Sequence, residues 1–268
     1  MSGPDDVTTT RIRREPPTFR HVTVRRVDHI SPRMVRVTFT GPDLVGLTVE
    51  QPAASVRLLL PSSVGQALVM PAWTGNEFLL PDGQRPAIRT FTPRHVDVEA
   101  LELALDFVVH GAGVASAWAE AAAPGAPAAV SGPGRGYVVD ADAPAFLLAG
   151  DETAIPAMSQ LLEVLPRERP VQVHIEVARP DGRLELPDHP LATPRWYDLP
   201  AGAPAGDALV EAVGQADFEP GTRVWVAGEA AAVQRIRRRL FEDRGVPRRQ
   251  ATIRGYWKYG RSGGADEA

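Results

Sequence analysis

The hydrophobic period of the chain changes near residue 143, and that change limits the possible folds more than any other feature. From Phe19 to about Asp140, short runs alternate apolar and polar residues; Phe19 to Val24 and Met34 to Thr40 are two of them. A period of two sends one side of a strand to a core and the other to water. Ser55 to Leu60 and Leu101 to His110 read as further strands, with Pro and Gly in the gaps. Val114 to Ala123 is the one helix expected here, stopped by Pro124-Gly125. Such a series folds as an antiparallel barrel or sandwich.

From Ala143 onward strands alternate with helices. Strands are expected at Ala145–Ala149, Val171–Ala178, Arg223–Ala227 and Ala251–Tyr256, and helices at Thr153–Leu165, Asp207–Val213 and Glu229–Arg244. Pro180 to Gly206 reads as a long loop or hairpin. Repeated strand–helix units imply a mostly parallel sheet with helices on its faces. The expected architecture is an N-terminal antiparallel β-barrel over 18–142 and a C-terminal mostly parallel α/β domain over 143–260. Residues 1–17 read as a disordered lead-in and 261–268 as a frayed tail.

Composition removes several chemistries. The chain has no cysteine, which excludes thiolate metal sites, cysteine-ligated clusters and cysteine nucleophiles. The six histidines show no metal-ligand spacing, and there is neither a GxSxG elbow nor a P-loop. A net charge of -4 argues against nucleic acid as a partner. The N-terminus lacks the apolar middle of a secretory signal, and no uninterrupted apolar stretch has membrane-spanning length. A cytoplasmic protein with no membrane partner is expected. Of the 29 basic residues only Lys258 is lysine, a skew that reads as genome composition.

Five segments carry candidate chemistry. Arg89-Thr90-Phe91-Thr92 lies on an expected strand, with Arg89 and Phe91 on one face. An arginine fork suits a pyrophosphate and an aromatic can stack on a flat ring. A surface strand with a core Phe explains the same four residues. Asp106, Val108 and His110 lead into a small-residue loop with Gly113, then a helix start with Ala115, Ser116 and Trp118. That geometry suits a phosphate at a helix N-terminus; a capped strand end and a core tryptophan are the alternative. Gly150, Asp151, Glu152 and Thr153 form a strand–turn–helix junction of the kind that holds dinucleotides, though the two acids also serve as helix caps. Glu229 occupies a similar junction. Tyr256, Trp257 and Tyr259 flank Lys258, as an aromatic lid on a cofactor or as packing.

In order, these segments resemble the siderophore-interacting protein family, the flavin-dependent ferric-siderophore reductases, over about Arg20 to Gly260. The shared features are the R-x-[YF]-[ST] strand at Arg89–Thr92, the HG…AS.WA segment at His110–Ala119 and AGDETA.PA at Ala149–Ala157. AGE at Ala227–Glu229 and the YW…G ending at Tyr256–Gly260 complete the set. The chain departs from the family with Phe91 for Tyr and Val114 for Pro. The resemblance implies a ferredoxin-reductase-like fold that passes electrons from NAD(P)H through FAD to siderophore-bound Fe(III), releasing Fe(II). It places FAD against Arg89, Thr90, Phe91, Thr92, Asp106, Val108, His110, Gly113, Ala115, Ser116, Trp118 and Trp257. Gly150, Asp151, Glu152, Thr153, Arg179 and Glu229 would border the nicotinamide nucleotide. Lys258, Arg261 and Arg135 are candidates for a basic mouth that receives an anionic ferric siderophore. A ferredoxin is an alternative donor. Arg179 and Arg183 follow the second strand of the α/β half and lean the donor toward NADPH, while Glu176 within that strand points the other way. A general flavin or quinone reductase, or a siderophore carrier without flavin, are the rival readings.

Overall fold

The computed structural model describes residues 17–111 and 113–260. The first half contains strands β1 (Arg20–Ser31), β2 (Met34–Thr40), β3 (Val56–Leu60), β4 (Ala72–Trp73), β5 (Phe78–Leu79), β6 (Ala87–Phe91), β7 (Pro93–Asp97) and β8 (Glu102–Val108). Helix α1 (Val114–Ala121) and β9 (Pro127–Ser131) complete it. Seven of these strands form one antiparallel sheet in the order β6-β3-β9-β1-β2-β8-β7. Its two edges, β6 and β7, are consecutive in the chain, with only Thr92 between them. The sheet therefore curls until its edges meet at that residue.

Period two operates as expected. Leu103, Leu105 and Phe107 of β8 enter the barrel core with Val35, Val37 and Phe39 of β2. Helix α1 plugs one end with Trp118, which stacks on Phe39 at 5.9 Å between ring centroids and packs against Phe107 at 5.8 Å.

The second half contains β10 (Phe146–Asp151), α2 (Ile155–Val164), β11 (Val171–Val177), β12 (Ala192–Asp198), α3 (Asp207–Gln215), β13 (Arg223–Glu229), α4 (Ala230–Arg238) and β14 (Ala251–Trp257). All five strands are parallel, in the order β12-β11-β10-β13-β14. The order reverses between β10 and β13, and such a switch point opens a crevice at the carboxyl ends of the strands. Helix α2 covers one face with Met158, Leu161 and Leu162. Helices α3 and α4 cover the other with Leu209, Val213, Val233 and Ile236. Burial on both faces explains why every residue of β10 is buried.

The sequence expectation fails at 180–206, which holds the edge strand β12 and is not a loop or hairpin. Pro194 and a run of exposed and half-buried residues without an alternating period hide it. An edge position tolerates both, because one side of the strand makes no ladder bonds. The long helix after Glu229 is α-helical only to Arg238 and continues as a π-helical turn over Arg239–Asp243.

Side-chain clamps join the halves, among them three built on Arg33, Gln160 and Arg254, beside the Arg94–Glu163 pair. Arg33, in the turn between β1 and β2, donates from Nε and Nη2 to the two carboxylate oxygens of Glu152, both at 2.7 Å. Gln160 of α2 accepts from the Ala53 amide at 2.8 Å and donates to the Pro93 carbonyl at 2.6 Å. Arg254 of β14 donates to the carbonyls of Ala53, Arg135 and Gly136.

His174 of β11 is a buried polar group in this second core, stacked on Tyr197 and within 2.9 Å of its hydroxyl. Burial, with help from Arg195, pulls its imidazole down to about 4. In the unfolded chain it titrates near 6.5, so between those values the unfolded state holds the extra proton. Its neutral form contributes full stability above about pH 6.5, and that contribution is lost as pH falls toward 4. The loss is on the order of 3 kcal/mol at most, from about 1.4 kcal/mol per unit of displacement. His174→Gln should flatten the stability profile between pH 4 and 6.5 in urea melts, and parallel profiles for the two proteins would refute this.

Candidate functional site

The barrel side of the site is built on β6 and the bend after it. Arg89 is half-buried, and its guanidinium donates only to the neighbouring Ile88 carbonyl at 2.8 Å. It has no carboxylate partner among the described residues. Burial pulls its pKa below the usual arginine value. A desolvated cation without a counter-ion is costly unless an anion arrives to pair with it. Phe91, on the same face of β6, rests against Phe107 at 4.4 Å between centroids. Thr90 is exposed, whereas Thr92 is buried at the bend with its hydroxyl 3.4 Å from that of Tyr256 in the other half.

The loop after β8 leads toward the same region. Gly111 and Gly113 have φ of +70° and +82°, and a Cβ on either would meet nothing within 4 Å. The start of α1 at Gly113 carries no side-chain cap. His110 and Gly113 are exposed, and Ala115 is half-buried. These features leave room and free amide hydrogens for a phosphate. Other expected residues are occupied elsewhere. Ser116 turns inward, and its Oγ accepts from the His110 amide at 3.0 Å. Asp106 is locked by Arg36 through bonds of 2.7 and 2.8 Å. Trp118 sits in the barrel core at 4% exposure, so its ring has no open face. Val108 packs against the core of the second half.

The crevice at the carboxyl ends of the parallel strands is acidic. Gly150 admits the close approach of β10, since a Cβ there would lie 2.8 Å from the Ala227 carbonyl and 2.4 Å from Ala154. Asp151 is buried and accepts four hydrogen bonds. Oδ1 takes the amide and hydroxyl of Thr153, and Oδ2 takes the Glu229 amide at 2.9 Å and the Trp257 indole at 2.8 Å. Burial pushes its carboxyl up, against the downward pull of those bonds. Glu229 caps α4 through the Ala232 amide at 2.8 Å and also accepts from the Tyr259 amide. Glu176 caps α3 through Gly206 and Leu209, so its side chain faces the helix and not a ligand. Glu152 is held by Arg33 and by the Ala178 amide. All four acids therefore serve hydrogen bonds of the fold.

The arginines that suggested NADPH are paired as well. Arg179 binds Asp181 at 3.1 and 2.6 Å, and Arg183 binds Asp198 at 2.7 Å. Neither offers an unpaired charge to a 2′-phosphate, which removes the basis for that lean.

The structure separates the expected basic mouth. Arg135 lines a cavity of about 450 Å³ whose walls include Arg223, Arg249, Arg254 and Asp140. Arg223 pairs with Asp140, while Arg254 points at carbonyls. Four arginines against one carboxylate leave a net positive cavity. Lys258 is exposed beyond β14 and does not line it, and Arg261 lies outside the described residues. Sequence reasoning missed Arg223, Arg249 and Arg254 because they come from two segments, at the start of β13 and around the start of β14, far in sequence from Arg135. Among the described residues no group of His, Asp and Glu could hold a metal ion, and no helix is long and apolar enough to cross a membrane.

Residues 23–137 match the family model for the siderophore-interacting FAD-binding domain, and residues 143–260 match that for siderophore-interacting protein. The chain belongs to the siderophore-interacting protein family. A siderophore utilization protein from T. fusca is 36% identical, with a TM-score of 0.83 over 95% of this chain and 98% of that one. The uncharacterized protein Rv2895c of Mycobacterium tuberculosis is 38% identical over 250 residues, 87% of this chain and 88% of the relative. The ferric vibriobactin reductase ViuB of Vibrio cholerae is 28% identical over 241 residues, 88% of each chain. More distant likeness, at 15% identity and a TM-score of 0.67 to a ferredoxin reductase, shows the fold alone. The fold is the expected ferredoxin-reductase-like pairing of an antiparallel barrel with a parallel α/β domain.

Proposed function

We propose that this protein is a ferric-siderophore reductase that takes electrons from a nicotinamide donor through FAD. The observation that carries the reading is Arg89, a half-buried guanidinium with no carboxylate partner among the described residues, on β6, the strand that packs against α1 at the end of the open glycine loop. FAD fits these residues. Arg89 would hold its pyrophosphate, the amides at the start of α1 would add to that hold, and Phe91 would border the flat ring. Bound FAD would supply the change from a two-electron donor to one-electron reduction of iron. The overall balance is NAD(P)H plus two Fe(III) giving NAD(P)⁺, H⁺ and two Fe(II). The chain's own residues bind, orient and set charge. Thr92 and Tyr256 fix the bend of the barrel against β14. Asp151 fixes Trp257 at the mouth of the crevice. The FAD-binding residues fit a quinone reductase equally well and disfavour a carrier without flavin; the family match, with a ferric vibriobactin reductase among the relatives, favours the siderophore reading.

The purified protein should be yellow and should bleach anaerobically on addition of NADH or NADPH. A ferric siderophore should restore the colour and a free quinone should not. Rapid reoxidation by quinone alone would favour the general reductase, and failure to bind FAD would end the proposal.

The arginine cavity is the proposed place for an anionic ferric complex. Arg135→Ala should raise KM for that complex several-fold, the scale of one exposed charge near a polyanion. KM for a neutral acceptor should not move. Lys258→Ala, measured alongside, tests the tail. A larger effect there than at Arg135 would place the mouth at β14's end and not in the cavity.

A further inference from the structure

We propose that Asp181, by holding Arg179, selects a nicotinamide donor with a free ribose 2′-hydroxyl over one with a 2′-phosphate. This inference rests on the nicotinamide reading above. In a sheet of this kind the adenosine ribose lies over the carboxyl end of the second strand. An acid there takes the 2′-hydroxyl, and an arginine there takes the 2′-phosphate. Both residue types are present here, and they are spent on each other. Arg179 follows the end of β11 by two residues, and a tight 3-10 turn at Pro180–Gly182 brings Asp181 back onto it. Nε and Nη2 of Arg179 meet the two oxygens of Asp181 at 3.1 and 2.6 Å, so one whole edge of the fork is filled.

The next strand repeats the device. Arg183 donates to Asp198, the last residue of β12, which stands opposite Val177 at the end of β11. Two arginines and two aspartates give this rim no net charge. Glu176, the one acid of β11, is turned away to cap α3. A 2′-phosphate reaching either arginine would meet a carboxylate that already takes part of the fork and repels it. A hydroxyl can donate to a carboxylate oxygen and leave the pair intact.

The turn that presents Asp181 is anchored. The Gly182 and Arg183 amides bond back to the Arg179 and Pro180 carbonyls at 2.9 and 3.3 Å. Gly182 is pressed against the buried Arg33–Glu152 pair, since a Cβ on it would lie 2.5 Å from Glu152 Oε1. The Arg179 bond also holds the Asp181 carboxyl below its ordinary range.

The test uses the FAD-loaded protein, calorimetric titration with 5′-AMP and with 2′,5′-ADP, and anaerobic flavin reduction by NADH and by NADPH. Wild type should bind 5′-AMP at least as tightly as 2′,5′-ADP and be reduced faster by NADH. Asp181→Asn should shift the affinity ratio about tenfold toward 2′,5′-ADP, the scale of one unmasked charge beside a dianion. Adding Arg179→Gln should cancel that gain. If 5′-AMP binds but Asp181→Asn leaves the ratio unchanged, or wild type prefers 2′,5′-ADP, this inference is wrong and the nicotinamide reading stands. If neither nucleotide binds and neither donor reduces the flavin, the nicotinamide reading falls and takes the inference with it.

Discussion

Alanine at position 89 should yield a colourless protein. Arg89 is the one cation of β6, it is half-buried, and its guanidinium meets no carboxylate among the described residues. Removing one partner of a desolvated charge pair costs about 2–5 kcal/mol of binding. For Arg89→Ala that predicts a fall in FAD affinity of roughly 10²–10³. The fold itself should not suffer, because no ion pair among the described residues is lost and the burial of a charge is relieved. The melting temperature of the FAD-free variant should stay within a few degrees of FAD-free wild type. Arg89→Lys keeps the charge but not the planar fork and should fall between the two. Absorbance near the flavin band, titrated with FAD, reads the result directly. Stoichiometric FAD in the alanine variant would remove Arg89 from the pyrophosphate site.

The second large effect concerns the fold. Arg33→Ala leaves the Glu152 carboxylate, whose side chain is 8% exposed, without its cation. Breaking a buried pair in this way costs about 3–5 kcal/mol, a large share of the 5–15 kcal/mol that typically holds a domain. The pair also crosses between the barrel and the α/β half, so the loss should separate their unfolding into two steps. Arg33→Met with Glu152→Gln should recover most of the stability. It removes both charges and keeps an oxygen for the Ala178 amide. Urea melts followed by tryptophan fluorescence distinguish these cases. A single unshifted transition in Arg33→Ala would show that the pair contributes nothing net.

The architecture was legible because both halves obey simple periods. Leu103, Leu105 and Phe107 alternate into the barrel, and the apolar run at Phe146–Ala149 marks a strand covered on both faces. Strand β12 was not legible, because an edge strand needs neither an apolar period nor freedom from proline. The candidate site could be read where backbone and residue type agree, as at Arg89 and the glycine loop, whose binding roles belong to the proposed function. It was less legible where a side chain had a choice of partner. Asp151, Glu152, Glu176 and Glu229 look alike in the sequence as acids near strand ends. Their different tasks depend on amides and arginines brought from elsewhere by the fold. Arg179 misled for the same reason. Its partner, two residues away, pairs with it only because of the turn at Pro180–Gly182.

The carboxylates that cap the helices of the α/β half bear on how long a donor stays. In many dinucleotide sites a phosphate completes a helix start, so ligand and fold order one another. Here Asp151, Glu176 and Glu229 already satisfy those amides. Under the proposed function, a nucleotide at this rim would complete few of these helix starts and would be held chiefly by side chains, in keeping with a donor that leaves once the flavin is reduced.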